Sequence, residues 1–134
     1  MASFDPGIVV LVVDDEEVVR VMFKDLLESE GFVVLLAETK QQGMQMMDQH
    51  LPPVVVIDKN LPDGSGLELI AIQKAKHPDT EFIMITGYST LDAAVEAMKA
   101  GAYSYLTKPF GELDNVLKRI QAAVAVHDVR ARSR

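Results

Sequence analysis

Short, unbroken apolar runs alternate with amphipathic stretches along the chain. The runs cover residues 8–13, 32–36, 53–58, 81–86 and 103–107, and turn-forming residues bound them, as they bound buried strands. Between the runs, apolar positions recur at helical spacing. Val19, Met22, Phe23, Leu26 and Leu27 follow an acid-rich first turn and precede Gly31, a left-handed stop. Thr39 caps a second helix to His50, which Gly43 weakens by about 1 kcal/mol relative to alanine. Ser65 opens a third helix, which closes before Pro78. Ser89 or Thr90 caps a fourth, which carries Leu91, Ala94, Val95 and Met98 on one face and stops at Gly101. A fifth, from about Glu112, turns Leu113, Val116, Leu117, Ile120 and Val124 inward.

Five strand–helix units predict an α/β fold: a single doubly wound, open parallel sheet with helices on both faces. A closed barrel would need about eight strands. Right-handed crossovers favour the flavodoxin-like strand order 2-1-3-4-5, in which the first and third strands are neighbours. The expected organisation is a lead over residues 1–7, one domain over 7–127, and a tail or the start of a linker over 128–134.

A net charge of −7 and a pI near 4.8 argue against direct nucleic-acid binding, and the one basic cluster is Arg130, Arg132 and Arg134. Cysteine is absent, which removes thiolate metal sites and nucleophiles. No apolar run approaches the roughly 20 residues of a membrane span, and no signal peptide is evident, so the chain reads as soluble and cytoplasmic with no membrane partner.

Strand ends carry the chemistry. Asp58 closes the run Val54-Val55-Val56-Ile57, Asp14-Asp15 follow the first run, Thr86 ends the fourth and Lys108 follows the fifth. In the expected strand order these groups converge at one sheet edge. Carboxylates so close repel one another, and a hard divalent cation with a nearby ammonium keeps them ionised. Mg²⁺ prefers oxygen ligands, so one or two of these carboxylates, a backbone carbonyl such as that of Asn60 and an incoming phosphate would complete its shell. With the charge balanced, an Asp58 oxygen can attack a phosphoryl group in line, while Lys108 and Thr86 stabilise its equatorial oxygens.

Asp14-Asp15, Asp58 with Leu61-Pro62-Asp63-Gly64-Ser65-Gly66-Leu67, Ile85-Thr86-Gly87 and Tyr105-Leu106-Thr107-Lys108-Pro109-Phe110 together resemble the signature of response-regulator receiver domains, over residues 7 to 126. The stretch from Ser89 to Ala102 is similar to receivers of the nitrogen-regulation type. The resemblance implies that Asp58 takes phosphate from a histidine kinase or phosphotransfer protein, with Asp14 and Asp15 in the magnesium site and Lys108 bridging to the phosphate, and that the domain slowly dephosphorylates itself. It also implies a cis peptide between Lys108 and Pro109 and a switch pair of Thr86 and Tyr105. The output would be the face built from the fourth helix, fifth strand and fifth helix, acting on a second copy or on an output domain or protein. Two positions depart from the family pattern. Lys59 stands where an apolar residue usually follows the phosphoacceptor, and Tyr88 stands with Asn60 where family members control water access.

Other readings compete. A phosphohydrolase with an aspartate nucleophile wants an acid two residues on, where Asn60 stands. A flavodoxin-like cofactor binder wants hydroxyls and backbone donors in the first loop, which is acidic here. A degenerate receiver would lack part of the acid, threonine and lysine set. Glu16 and Glu17 read as an ordinary acidic first turn. His50, His77 and His127 read as solvent-facing, and the terminal arginines as a frayed helix end or linker.

Overall fold

Strands β1 (Val9–Val13), β2 (Val33–Ala37), β3 (Val54–Asp58), β6 (Glu81–Thr86) and β7 (Ser104–Thr107) run parallel, in the order β2-β1-β3-β6-β7, in the computed structural model, which describes residues 7–133. The expected lead therefore lies outside the described residues except for Gly7. Between β3 and β6 sits a small antiparallel hairpin, β4 (Asn60–Leu61) and β5 (Gly64–Ser65). With the hairpin set aside, the sheet has the 2-1-3-4-5 order expected.

Five helices cover the sheet: α1 (Glu17–Glu28), α2 (Lys40–His50), α3 (Gly66–Lys76), α4 (Leu91–Ala100) and α5 (Leu113–Arg132). Alternate strand residues serve opposite faces because side chains in a strand repeat every second residue. Val10, Val12, Val54, Val56, Ile83 and Ile85 pack with Val19, Phe23 and Leu27 of α1 and Val116, Ile120 and Val124 of α5. Leu11, Val13, Val55, Ile57, Phe82 and Met84 pack with Met47 of α2, Leu69 and Ile70 of α3 and Ala97 of α4. The side-chain hydroxyls of Thr39, Ser65 and Thr90 accept hydrogen bonds from the first-turn amides of α2, α3 and α4.

Several details differ from the linear pattern. The face of α4 that carries Leu91, Val95 and Met98 looks outward, with those residues 79, 41 and 46 % exposed, while Ala93 and Ala97 are enclosed. This helix lies against α3 and β7, and small side chains are what its inner face accommodates. Leu113 is likewise exposed, although Val116, Ile120 and Val124 point inward as expected. Gly43 has a packing reason: a Cβ there would lie 3.0 Å from Val13 Cγ2 and 3.3 Å from Leu69 Cδ1, so α2 rides close to the sheet. In the hairpin turn, Asp63 accepts the amides of Lys40 (2.8 Å) and Gln41 (3.0 Å), tying it to the start of α2. Those amides, Gln41 first, hold the Asp63 carboxyl below its usual range.

Helix α5 continues through Arg132 without a break at the expected domain boundary. Arg130 is no frayed end: its Nε meets Glu81 Oε2 at 2.9 Å, and Lys74 Nζ reaches the same buried carboxylate at 3.4 Å. Two of the histidines also have partners. His77 Nε2 lies 3.3 Å from Asp48, and His127 Nδ1 lies 2.8 Å from the Asp79 carbonyl. Among the described residues no helix is long and apolar enough to cross a membrane.

Candidate functional site

The C-terminal ends of β1, β3, β6 and β7 form one edge of the sheet, and parallel pairing brings their end residues together. Asp58, the last residue of β3, is 8 % exposed. Its Oδ1 accepts the Asn60 amide at 3.0 Å and its Oδ2 accepts Lys108 Nζ at 3.0 Å. Both oxygens are thus oriented by donors fixed in the chain. Lys108 follows β7 directly, and its amide donates to the Thr86 carbonyl at 2.8 Å. A cis peptide joins it to Pro109.

Asp14 follows β1 and is fully buried. Its amide continues the ladder to the Ala37 carbonyl at 3.0 Å, and its Oδ1 accepts the Glu16 amide at 2.8 Å. Arg20 Nη1 donates to the Asp14 carbonyl at 2.7 Å, and Nη2 of the same guanidinium reaches Glu38 at 3.1 Å. This buried arginine spans the loops after β1 and β2 and pins the backbone of the acid. Asp14 Oδ2 faces Lys108 Nζ at 3.1 Å as an ion pair, yet it is enclosed and receives no well-formed hydrogen bond.

Burial is the main cause that raises the Asp14 pKa from an ordinary 3.8 to about 6, with a smaller push from the Asp58 charge. The Glu16 amide and Lys108 pull it the other way. For Lys108, burial opposes the charge, but contacts with Glu16, Asp58 and Asp14 outweigh it and hold the ammonium above the ordinary lysine range. One cation therefore faces three acids.

A pH dependence follows. Between about pH 4 and pH 6 the unfolded chain has released the Asp14 proton while the folded chain keeps it, so folding stability falls as pH rises through that window. In chelator-containing buffer, Asp14→Asn should match wild type near pH 4 and exceed it at pH 7 by about 1–2 kcal/mol. The shift already contains the attraction to Lys108, and local relaxation and water penetration keep the gain below its full value. Urea unfolding at both pH values measures it; a difference independent of pH would contradict the assignment.

The other sequence candidates distribute unevenly. Thr86 is 1 % exposed and its hydroxyl accepts the Tyr88 amide at 3.2 Å. Asn60 meets Asp58 through its amide and pairs with Ser65 in the hairpin. Tyr105 is half-buried at a cleft of ≈ 340 Å³ shared with Ser89, Pro109 and Arg119. Asp15 is exposed and stands outside the acid trio, whose members are Asp14, Glu16 and Asp58, with one carboxylate oxygen from each lying within 4.8 Å of the others. The sequence places Glu16 in an ordinary acidic first turn, whereas in the fold its carboxylate accepts a hydrogen bond from Lys108 Nζ. The available signal was its position two residues after Asp14, where the Asp14 side chain turns the chain back on itself. An oxygen-only set of clustered acids, with one enclosed oxygen lacking a hydrogen bond, suits a hard cation such as Mg²⁺.

Known proteins resemble this chain in sequence and in fold. Residues 10–121 match the response regulator receiver domain model. The chain is 37 % identical over 107 residues to the acid tolerance regulatory protein ActR of Rhizobium meliloti (strain 1021), covering 80 % of this chain and 55 % of that protein. It is 35 % identical over 115 residues to the DNA-binding transcriptional regulator NtrC of Proteus hauseri, covering 86 % of this chain and 24 % of that one. This chain thus spans about half of the first relative and a quarter of the second. Among solved structures, the beryllofluoride-activated NtrC4 receiver domain dimer superposes with a TM-score of 0.83 at 38 % identity, covering 89 % of this chain and 98 % of that one. A CheY-like receiver domain from Methanospirillum hungatei JF-1 superposes at 0.85 with 28 % identity, over 94 % of this chain and 99 % of that one. Strand-end acids and lysine, sheet order and family match converge on one conclusion: this chain belongs to the response regulator receiver domains of two-component signalling.

Proposed function

We propose that the chain is a phosphorylation switch in which Asp58 accepts a phosphoryl group from the phosphohistidine of a histidine kinase or phosphotransfer protein. The observation that carries this reading is the Lys108 ammonium within 3.1 Å of both Asp58 and Asp14 at the mouth of the sheet edge. An Asp58 oxygen forms the new P–O bond as the P–N bond of the donor breaks, and the imidazole leaves. Lys108, hydrogen-bonded to Asp58, is close enough to follow the charge onto the transferred oxygens, and the buried Thr86 hydroxyl, which accepts the Tyr88 amide, keeps its own hydrogen to donate to one of them. Asp14 and Asp58 would hold Mg²⁺, with Asp15 and the Asn60 carbonyl as the further ligands expected from sequence and Glu16 as an additional acid. Bound there, the metal would neutralise phosphoryl oxygens that the carboxylates otherwise repel.

The output would be read at the face of α4, β7 and α5, with Thr86 and Tyr105 as the switch pair. Leu91, Val95, Met98, Tyr103 and Leu113 expose apolar surface there, which fits a phosphorylation-dependent contact with a second copy or an output partner. The reading predicts that a small acyl phosphate with Mg²⁺ adds one phosphoryl group to the intact mass, and that chelator prevents it. A folded chain that gains no mass in the presence of Mg²⁺ would refute it.

A further inference from the structure

Lys59 directly follows the phosphoacceptor, and its backbone is fixed on both sides. Its amide donates to the Ile85 carbonyl at 2.9 Å, and its carbonyl accepts the Gly66 amide at 2.8 Å. From that fixed point the side chain crosses to the middle of α4, where Nζ meets Glu96 Oε1 at 2.9 Å. The alternation along β3 sends Val54 and Val56 to the α1–α5 face and Val55 and Ile57 to the α4 face. Continued by two residues, it gives Asp58 to the first face and Lys59 to the second. Lys59 therefore stands beside the phosphoacceptor in sequence but works on the far face of the sheet.

Helix α4 lies against α3 and β7 but encloses only small side chains. It encloses Ala93 and Ala97, whereas α1 encloses Val19, Arg20, Phe23 and Leu27. Where the apolar grip is this small, one part-buried ion pair is a large share of the attachment. Glu96 is half-exposed, so opening the pair returns its carboxylate to water, and the cost of opening falls on the mostly covered Lys59.

We propose that the Lys59–Glu96 pair is a latch that holds α4 in the arrangement of the unphosphorylated chain, making Lys59 a positioning residue for the switch. This rests on the reading of Asp58 as phosphoacceptor and of the α4 face as output. An arrangement in which α4 moves away from the end of β3 must break the pair. Any ligand that selects that arrangement is opposed by the pair, and removing the pair tightens its binding by the same factor.

The test is a titration of the 134-residue chain with beryllofluoride and Mg²⁺, alongside amide exchange of the unmodified protein. Lys59→Met and Glu96→Gln should each bind beryllofluoride about two- to fivefold more tightly than wild type, the range expected of a part-exposed pair. Both should speed exchange across α4, and the swap Lys59→Glu with Glu96→Lys should return both readouts toward wild type. Unchanged or weaker binding in the single variants, or a swap that restores neither readout, would overturn the latch while leaving the phosphoacceptor reading intact. A folded wild type that binds no beryllofluoride, as expected of Asp58→Asn, would overturn the phosphoacceptor reading and the latch with it.

Discussion

Asp58→Asn is expected to abolish the phosphoryl mass gain while leaving the fold in place. Asparagine keeps the shape and can still accept the Asn60 amide that now meets Oδ1, but its amide is no nucleophile toward phosphorus. No neighbouring acid stands ready to take over. Asp14 is fully buried, with one carboxylate oxygen accepting the Glu16 amide and the other facing Lys108, and Glu16 is hydrogen-bonded to Lys108. The loss should therefore be complete, comparable to that caused by chelator in the wild type. Intact mass after acyl phosphate treatment, with a thermal melt to confirm folding, reads both halves of the prediction. Labelling of the variant at the wild-type level would move the phosphoacceptor elsewhere.

Gly66→Ala should be the most damaging small substitution near the site, costing on the order of 3 kcal/mol of stability, the upper end of what one added methyl group costs in a filled space. A Cβ at this position would overlap the Asp58 carbonyl oxygen and lie 3.1 Å from the Asp58 carbonyl carbon and 3.2 Å from Lys59 Cα. These are backbone atoms at the end of a fully buried strand, and they cannot turn aside as a flexible side chain would. The close approach lets the Gly66 amide reach the Lys59 carbonyl at 2.8 Å and seats the start of α3 beside the end of β3 that carries Asp58. Relief of the overlap must displace Asp58 itself, and a displacement near 1 Å slows positioned chemistry by about a hundredfold. Gly87→Ala is the control, because a Cβ there meets nothing within 4 Å. Urea unfolding and the rate of acyl phosphate labelling should separate the two variants on both measures. Equal behaviour would show that the strand end yields more readily than its packing implies.

The strands and most of the helices were legible because their signals are local. Val54 to Ile57 is an apolar run that a buried parallel strand requires, and Thr39, Ser65 and Thr90 cap the helices that follow them. The hairpin was less legible, since Pro62, Asp63 and Gly64 read as a loop and its two-residue strands carry no periodicity. The facing of α4 misled because a pattern of apolar residues identifies a stripe without saying whether core or solvent lies against it. Leu91, Val95 and Met98 form such a stripe, and in the folded chain it is the surface left open.

By itself, the sequence determined the order of the elements and the chemical identity of the groups at the strand ends, Asp14, Asp58, Thr86 and Lys108. Both depend on near neighbours in the chain: the run that makes a strand and the turn that ends it. Tertiary structure alone decided which groups share the site and which anchor the frame around it. Glu16 meets Lys108 across 92 residues, Lys59 meets Glu96 across 37, and Arg130 returns to the buried Glu81. The physical reason is that an ion pair depends on distance in space and on burial. A charged residue in a solvated first turn and one closing a buried cluster look alike until the sheet brings their partners within reach.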